Sequence, residues 1–587
     1  MFGIPWHKLP TPLGLLKLAG FRGQLRKKNL HDTSKLADTT KLPETMKCPF
    51  ANYLKARTPD GSYNDLKHPE MGMVGTRFGR NVPLEDAKVD EANLLTPNPR
   101  TVSRVLLARD EFQPATILNM LAAAWIQFQT HDWFSHGSNQ PDNKLQIPID
   151  ADDSWPEHRP MEVRKTLEDP TRTGDTKHPP TFINHCTHWW DGSQIYGNDK
   201  ESIDRVRSHV DGKLHIKDDG LLPLDPKLGI DDVGFAGTWW VGLSILHTLF
   251  VKEHNTICDH LNKLYPQWND DELFDHARLI NAALMAKIHT VEWTPAILPH
   301  PVTDIALNAN WWGLLGQQIK NNIGRIGDSE LLSGIVGSQT DHHTAPYYLT
   351  EEFVSVYRMH PLIPDDLNFY SHNNGKFLSK KPFSEVAGSK TRALMEEIKM
   401  SDLLYSFGVT HPGAVRLHNY PSFLRHLTGE LTGDPNGAFD LAAVDILRDR
   451  ERGVPRYNRF RELLGRGRVK SFEEITSNKQ WAKELREVYN NNIDSVDLMV
   501  GLFAEDLPDG FGFSETAFRV FILMASRRLK SDRFFTKDYT AEVYTQFGLD
   551  WIDQNNLLTV LKRHHPELAP ALVGVTNGFA PWRKLGA

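Results

Sequence analysis

Tyr357 and His360 stand three residues apart in Val356-Tyr357-Arg358-Met359-His360-Pro361. A phenol can lose one electron, and histidine is a common axial ligand of haem iron. On a helix, positions i and i+3 share a face. An electron could then leave Tyr357 toward a group bound at His360. Ordinary packing produces the same spacing, so the rest of the chain must decide. Gln127 and His131 form a second pair, at i and i+4, followed directly by Asp132. A hydrogen-bonded core histidine would look the same. In the run from Thr187 to Gly197, Thr187, Trp189, Asp191 and Ser193 recur at alternate positions. Hydroxyl, carbonyl and carboxylate oxygens so spaced can turn toward one point in an extended loop, which suits a hard cation such as Ca²⁺. A polar turn is the alternative.

Helices must position these groups. Pro114 is expected to open one over residues 115–132, with Ile117, Leu118, Leu121, Ala124, Trp125 and Phe128 at helical spacing. Residues 239–262 predict another, and 275–294 a third that Pro295 stops. Thr350 is the expected N-cap of a helix that reaches Pro361, with Glu351 and Glu352 in its first turn. Ser514 starts the last long helix, running to about Arg528. Residues 31–110 read as irregular wrapping chain and 137–180 as loop. Residues 430–470, highly charged from Arg448 to Arg452, read as a solvated surface. Strand signals are few and short. The fold class is mainly α, one large helical domain.

Of the 587 residues, 40% are hydrophobic, enough for a large core. A net charge of −7 gives no basic footprint for nucleic acid. Cys48, Cys186 and Cys258 are too scattered for a disulfide framework or a zinc site. No apolar run is long enough to span a bilayer, and no signal peptide is recognisable. An intracellular protein is expected, cytoplasmic or peripheral on a membrane. Residues 1–45 form a basic arm in which Lys8, Lys17, Arg22, Arg26, Lys27 and Lys28 interleave with leucines. It could lie on an anionic membrane surface or pack on the body.

The order of these stretches resembles the animal-type haem peroxidase superfamily, which includes cyclooxygenases. The motifs are Gln-x-x-x-His-Asp, Thr-x-Trp-Trp-Asp-Gly-Ser-x-Ile-Tyr-Gly, His-Thr-Leu-Phe-x-x-Glu-His-Asn and Tyr-x-x-His-Pro-Leu-Ile-Pro-Asp, all within residues 113–366. Within it, the chain resembles the fatty acid α-dioxygenases of plants and bacteria. Lys287 to Thr294, Ala525 to Leu529, Arg533 to Thr536 and the basic arm carry that likeness. It spans nearly the whole chain.

The resemblance implies a peroxidase-like catalytic domain over residues 46–587, non-covalent haem b and Ca²⁺. It implies oxygenation of long-chain fatty acids by O₂ at C2. The product would be a 2-hydroperoxy acid, which can lose CO₂ to give an aldehyde one carbon shorter. His131 would be the distal histidine with Gln127 beside it, His360 the proximal ligand and Tyr357 the radical tyrosine. Asn419 would orient His360. Asp132, Thr187, the Trp189 carbonyl, Asp191 and Ser193 would hold calcium. His289, Thr294 and Arg528 would hold the substrate carboxylate, with Arg527 as the alternative if the helix register shifts by one.

Departures from the superfamily pattern discriminate further. Peroxidases carry Arg-x-x-Glu before the His-Thr-Leu-Phe helix, where this chain has Ala236 and Trp239. Thr130 stands where an acid would esterify the haem. No cysteine-rich EGF-like module is present. These features favour a dioxygenase over a haem peroxidase that uses H₂O₂ on small donors. A haem or lipid carrier would leave Tyr357 unexplained.

Overall fold

The computed structural model describes residues 4–36, 50–155, 159–172, 178–428 and 438–586. Cys48, the expected boundary at 45/46 and part of the charged 430–470 stretch lie outside them. Among the described residues helices dominate, with three two-stranded antiparallel ribbons. Helices Val241–Leu264, Asp270–Ile288 and Ala541–Gln554 pack together, and Met120–Thr130 lies against the first. Glu515–Ser531 packs on Glu351–Val356 and on the N-terminal helix Thr11–Lys28.

Local chemistry sets several of these boundaries. The 120–130 helix begins five residues later than periodicity predicts. Asn119 caps it by accepting the Ala122 N–H at 3.3 Å, and Asn119 Nδ2 donates to the carbonyls of Gly578 and Ala580. Asparagine is among the best N-caps, and Pro114 instead pairs across to Gly413. Asp270–Ile288 starts with a capping box between Asn269 and Glu272. Pro295 does not stop this helix. A π-turn over His289–Trp293 intervenes, and Pro295 sits in the first turn of the next segment, Thr294–Ile297. A proline there loses no hydrogen bond.

Thr350 caps Glu351–Val356 as expected, accepting from Phe353 N. That helix ends at Val356 rather than Pro361. Tyr357 has φ −86° and ψ 2°, and a 3-10 turn resumes at His360–Leu362. The helix expected to run from Ser514 to about Arg528 spans Glu515–Ser531, and it is not the last, since Ala541–Gln554 and Leu557–His564 follow it. Residues 139–147 and 161–166 form a hairpin within the expected loop.

The Arg448–Arg452 run is buried, not solvated. Arg450 pairs with Asp497 at 2.7 Å and Arg448 with Glu451 at 2.6 Å, while Asp449 takes Arg358. Buried charges persist when paired and hydrogen-bonded. The N-terminal helix packs on the body, burying Leu18 and Leu25. A Cβ at Gly14 would lie 2.8 Å from Val302 Cγ2, so glycine permits the close approach to helix Pro301–Trp312. Among the described residues no helix is long and apolar enough to cross a membrane.

Candidate active site

An apolar cavity with about 110 Å³ open to the centre of a water-sized sphere leads from the N-terminal helix inward. Leu15, Leu18 and Ala19 line its outer part, and Phe518, Phe521, His289, Thr294 and Tyr357 also face it. Tyr357 is held by aromatic contacts: it stacks on Phe521 at 4.3 Å and meets Phe353 edge-on at 4.5 Å. Burial raises its phenol pKa well above the usual value, so the group is protonated at any working pH.

His289 sits in the π-turn, a feature frequent at functional sites. Its Nδ1 accepts from Trp125 Nε1 at 3.2 Å, and its ring stacks on Trp293 at 4.7 Å. Burial, with the charge of Arg528 nearby, keeps this imidazole neutral. The Thr294 hydroxyl donates to the His289 carbonyl at 2.7 Å.

Arg527 and Arg528 are held in different ways. Arg527 Nη2 donates to the carbonyls of His342, Ala345 and Pro346. Arg528 Nη2 donates to the Trp189 carbonyl at 3.0 Å, and its guanidinium lies over Trp133 at 3.9 Å and Trp190 at 5.0 Å. Its Nε and Nη1 are buried without a partner. Among the described residues no carboxylate forms an ion pair with it. A buried cation in that state is costly unless an anion joins it.

His131 ends the 120–130 helix, and burial drives its pKa down to about 3. Its Nε2 lies 3.3 Å from His247 Nε2. His247 lies in the His-Thr-Leu-Phe motif; motif matching alone gave it no role. Gln127 Oε1 accepts from Trp240 Nε1 at 2.8 Å, and its Nε2 donates to Thr238 Oγ1 at 3.1 Å. Trp239 packs its indole on His247 at 4.9 Å.

His360 is one-third exposed, and Asp445 Oδ2 lies 3.0 Å from its Nδ1. Asn419 does not make the contact expected of it. Its Nδ2 donates to the carbonyls of Gln113 and Ala414, and its Oδ1 accepts from Arg109 Nε and Gln113 N. The residue facing the imidazole is Asp445, close to Nδ1 but not aligned as a hydrogen-bond acceptor, and it accepts from Tyr420 at 2.9 Å. With a carboxylate behind Nδ1, Nε2 is the nitrogen left for iron. The arrangement fits a haem ligand.

Asp132 and Asp191 are buried with their hydroxyl neighbours. Ser193 Oγ donates to Asp132 Oδ2 at 2.5 Å and Thr187 Oγ1 to Asp191 Oδ2 at 2.9 Å. Burial, with Asp191 adding, pushes the Asp132 carboxyl up to about 7, and its Oδ1 has no partner. An all-oxygen set around an orphaned carboxylate oxygen fits a hard cation. The Trp189 carbonyl, expected to face that cation, is engaged by Arg528.

Residues 56–573 match the family model described as animal haem peroxidase. The α-dioxygenase PIOX of Oryza sativa subsp. japonica is 40% identical, covering 98% of this chain and 93% of its own. The crystal structure of an Oryza sativa fatty acid α-dioxygenase superposes with a TM-score of 0.90 at 38% identity, covering 98% of this chain and 94% of that chain. The Arabidopsis thaliana fatty acid α-dioxygenase superposes at 0.91 with 36% identity, covering 99% and 90%. A tyrosine-to-phenylalanine form of the rice protein has been crystallised with palmitic acid. This mainly helical, peroxidase-like chain therefore belongs to the animal haem peroxidase family. Within that family it is an α-dioxygenase, an oxidoreductase of the fatty acid α-dioxygenase group.

Proposed function

We propose that the protein is a haem-dependent α-dioxygenase that inserts O₂ at C2 of long-chain fatty acids. The product is a 2-hydroperoxy acid, which can decarboxylate to an aldehyde one carbon shorter. The observation that carries this reading is the apolar cavity ending at Tyr357 and His289, with the Arg528 guanidinium close enough to act on both and, among the described residues, in no ion pair. An alkyl chain fits the cavity, and a carboxylate supplies what Arg528 lacks. Arginine can pair with a carboxylate bidentately, which fixes direction as well as affinity. His289, with Nδ1 accepting from Trp125, can donate from Nε2 to that carboxylate, and Thr294 would join by turning its hydroxyl from the His289 carbonyl.

His360 would hold the iron through Nε2, oriented by Asp445, with His131 and Gln127 on the opposite side. Haem, when bound, supplies the one-electron oxidant that converts Tyr357 to a phenoxyl radical. The α C–H bond is too weakly acidic for an ordinary protein base, so a hydrogen atom must be removed. Tyr357 takes it, O₂ adds to the carbon radical, and the peroxyl recovers hydrogen from the Tyr357 hydroxyl. Burial keeps His131 neutral, so it would face the iron side as an uncharged imidazole. Ala236 and Trp239 offer no cation to polarise a peroxide, which disfavours the small-donor peroxidase. Oxygen uptake with palmitate, yielding the 2-hydroperoxy acid, tests the reading. Rapid guaiacol oxidation with H₂O₂ and no uptake with palmitate would refute it.

Ca²⁺ is proposed between Asp132 and Asp191, tying the helix of His131 to the 187–193 loop. Binding to the folded state alone stabilises it. Removal by EGTA is expected to lower the unfolding midpoint, and Ca²⁺ but not Mg²⁺ to restore it. An unchanged midpoint would argue that these carboxylates hold no cation.

A further inference from the structure

Trp133 touches both ends of the proposed chemistry. Its indole face lies 3.9 Å below the Arg528 guanidinium, and its edge meets the Tyr357 ring at 5.5 Å and 75°. Phe353 lies nearly parallel to it at 6.1 Å, and Trp190 crosses it at 5.6 Å. Trp190 is itself fixed, donating from Nε1 to Gln129 Oε1 at 2.9 Å. The Trp133 backbone is pinned as well. Its N–H donates to the Thr130 carbonyl at 3.0 Å, and its carbonyl accepts Asn184 Nδ2 at 2.8 Å. With 2% of its surface exposed, the indole has little room to move. It is a rigid block between anchor and phenol.

That block has a consequence for which carbon reacts. A carboxylate on Arg528 fixes C1, and C2 and C3 differ in reach by one C–C bond, roughly 1.5 Å. Selection between them needs the guanidinium-to-phenol separation held to less than that. A misplacement of about 1 Å can cost roughly 100-fold in rate. We propose that Trp133 sets this separation and is the positioning residue that makes C2, not C3, the site of attack. The proposal rests on the assignment of Tyr357 as oxidant and Arg528 as anchor. At either carbon the balance is the same. The C–H bond breaks as the Tyr357 O–H forms, O₂ adds to carbon, and the peroxyl takes the hydrogen back. O₂ is the only co-reactant consumed.

The test is product regiochemistry with palmitate in the holoenzyme, after reduction of hydroperoxides to hydroxy acids. For Trp133→Phe the ratio of 2-hydroxy to 3-hydroxy acid is expected to fall by at least about tenfold, with kcat reduced. Trp133→Tyr is measured alongside, in case one variant fails to fold. Trp190→Phe is the control, because Trp190 contacts Arg528 without being in ring contact with Tyr357. It should raise KM and leave the product at C2. A Trp133 variant that folds and still oxygenates C2 alone overturns the spacer. So does an equal loss of regiochemistry in Trp190→Phe. A wild-type enzyme that yields no 2-hydroperoxy acid removes the functional reading and the spacer together.

Discussion

Tyr357→Phe is expected to bind haem normally and to abolish oxygen uptake with palmitate. The ring contacts to Phe521, Phe353 and Trp133 need no hydroxyl, so the fold and the cavity survive the change. The chemistry does not survive it. Phenylalanine has no O–H bond to exchange with the α carbon, and no carboxylate or imidazole nearby can abstract a hydrogen atom. The loss should be at least about 1000-fold, a barrier rise of about 4 kcal/mol. Fatty acid affinity should change little, because the anchor is elsewhere. Soret absorbance, palmitate binding and oxygen consumption together make the check. Retained uptake would move the oxidant to another residue.

Arg528→Gln is expected to act on the other half of the site. Removing one partner of a buried charged pair costs about 2 kcal/mol or more, so KM for palmitate should rise about 30-fold or more. The kcat at saturation should fall less. A second outcome separates Arg528 from a structural arginine. In the free protein two of its nitrogens are buried without a partner, and among the described residues no carboxylate forms an ion pair with it, so neutralising it should cost little stability. Arg527→Gln should behave in the opposite way. Its three bonds to the 342–346 carbonyls staple a loop, and their loss should cost stability while leaving KM nearly unchanged. An unchanged KM in Arg528→Gln would place the anchor elsewhere.

Much of this site is legible in sequence because its members are local. Gln127, His131 and Asp132 share one helical turn and its end, and Thr187 to Ser193 form one loop. Thr350 marks a helix start by cap chemistry alone. What fails depends on contacts far along the chain. Asp445 faces His360 from a charged helix whose sequence resembles a wet surface, and only Asp497, Glu451 and Arg358 show those charges to be paired and buried. The choice between Arg527 and Arg528 turns on which side of one helix meets the 342–346 loop. Neither spacing nor charge expresses that. The Tyr357–His360 pair was read as one helical face. The helix ends at Val356 and a 3-10 turn starts at His360, so the two residues do not share one helical face.

The central claim is that Tyr357 removes hydrogen from C2 of a fatty acid whose carboxylate Arg528 holds. Palmitate deuterated at C2, consumed in competition with unlabelled acid, tests it most directly. The unlabelled acid is expected to be consumed faster, and deuterium at C3 to make no difference. No discrimination at C2, or discrimination at C3 instead, would contradict it.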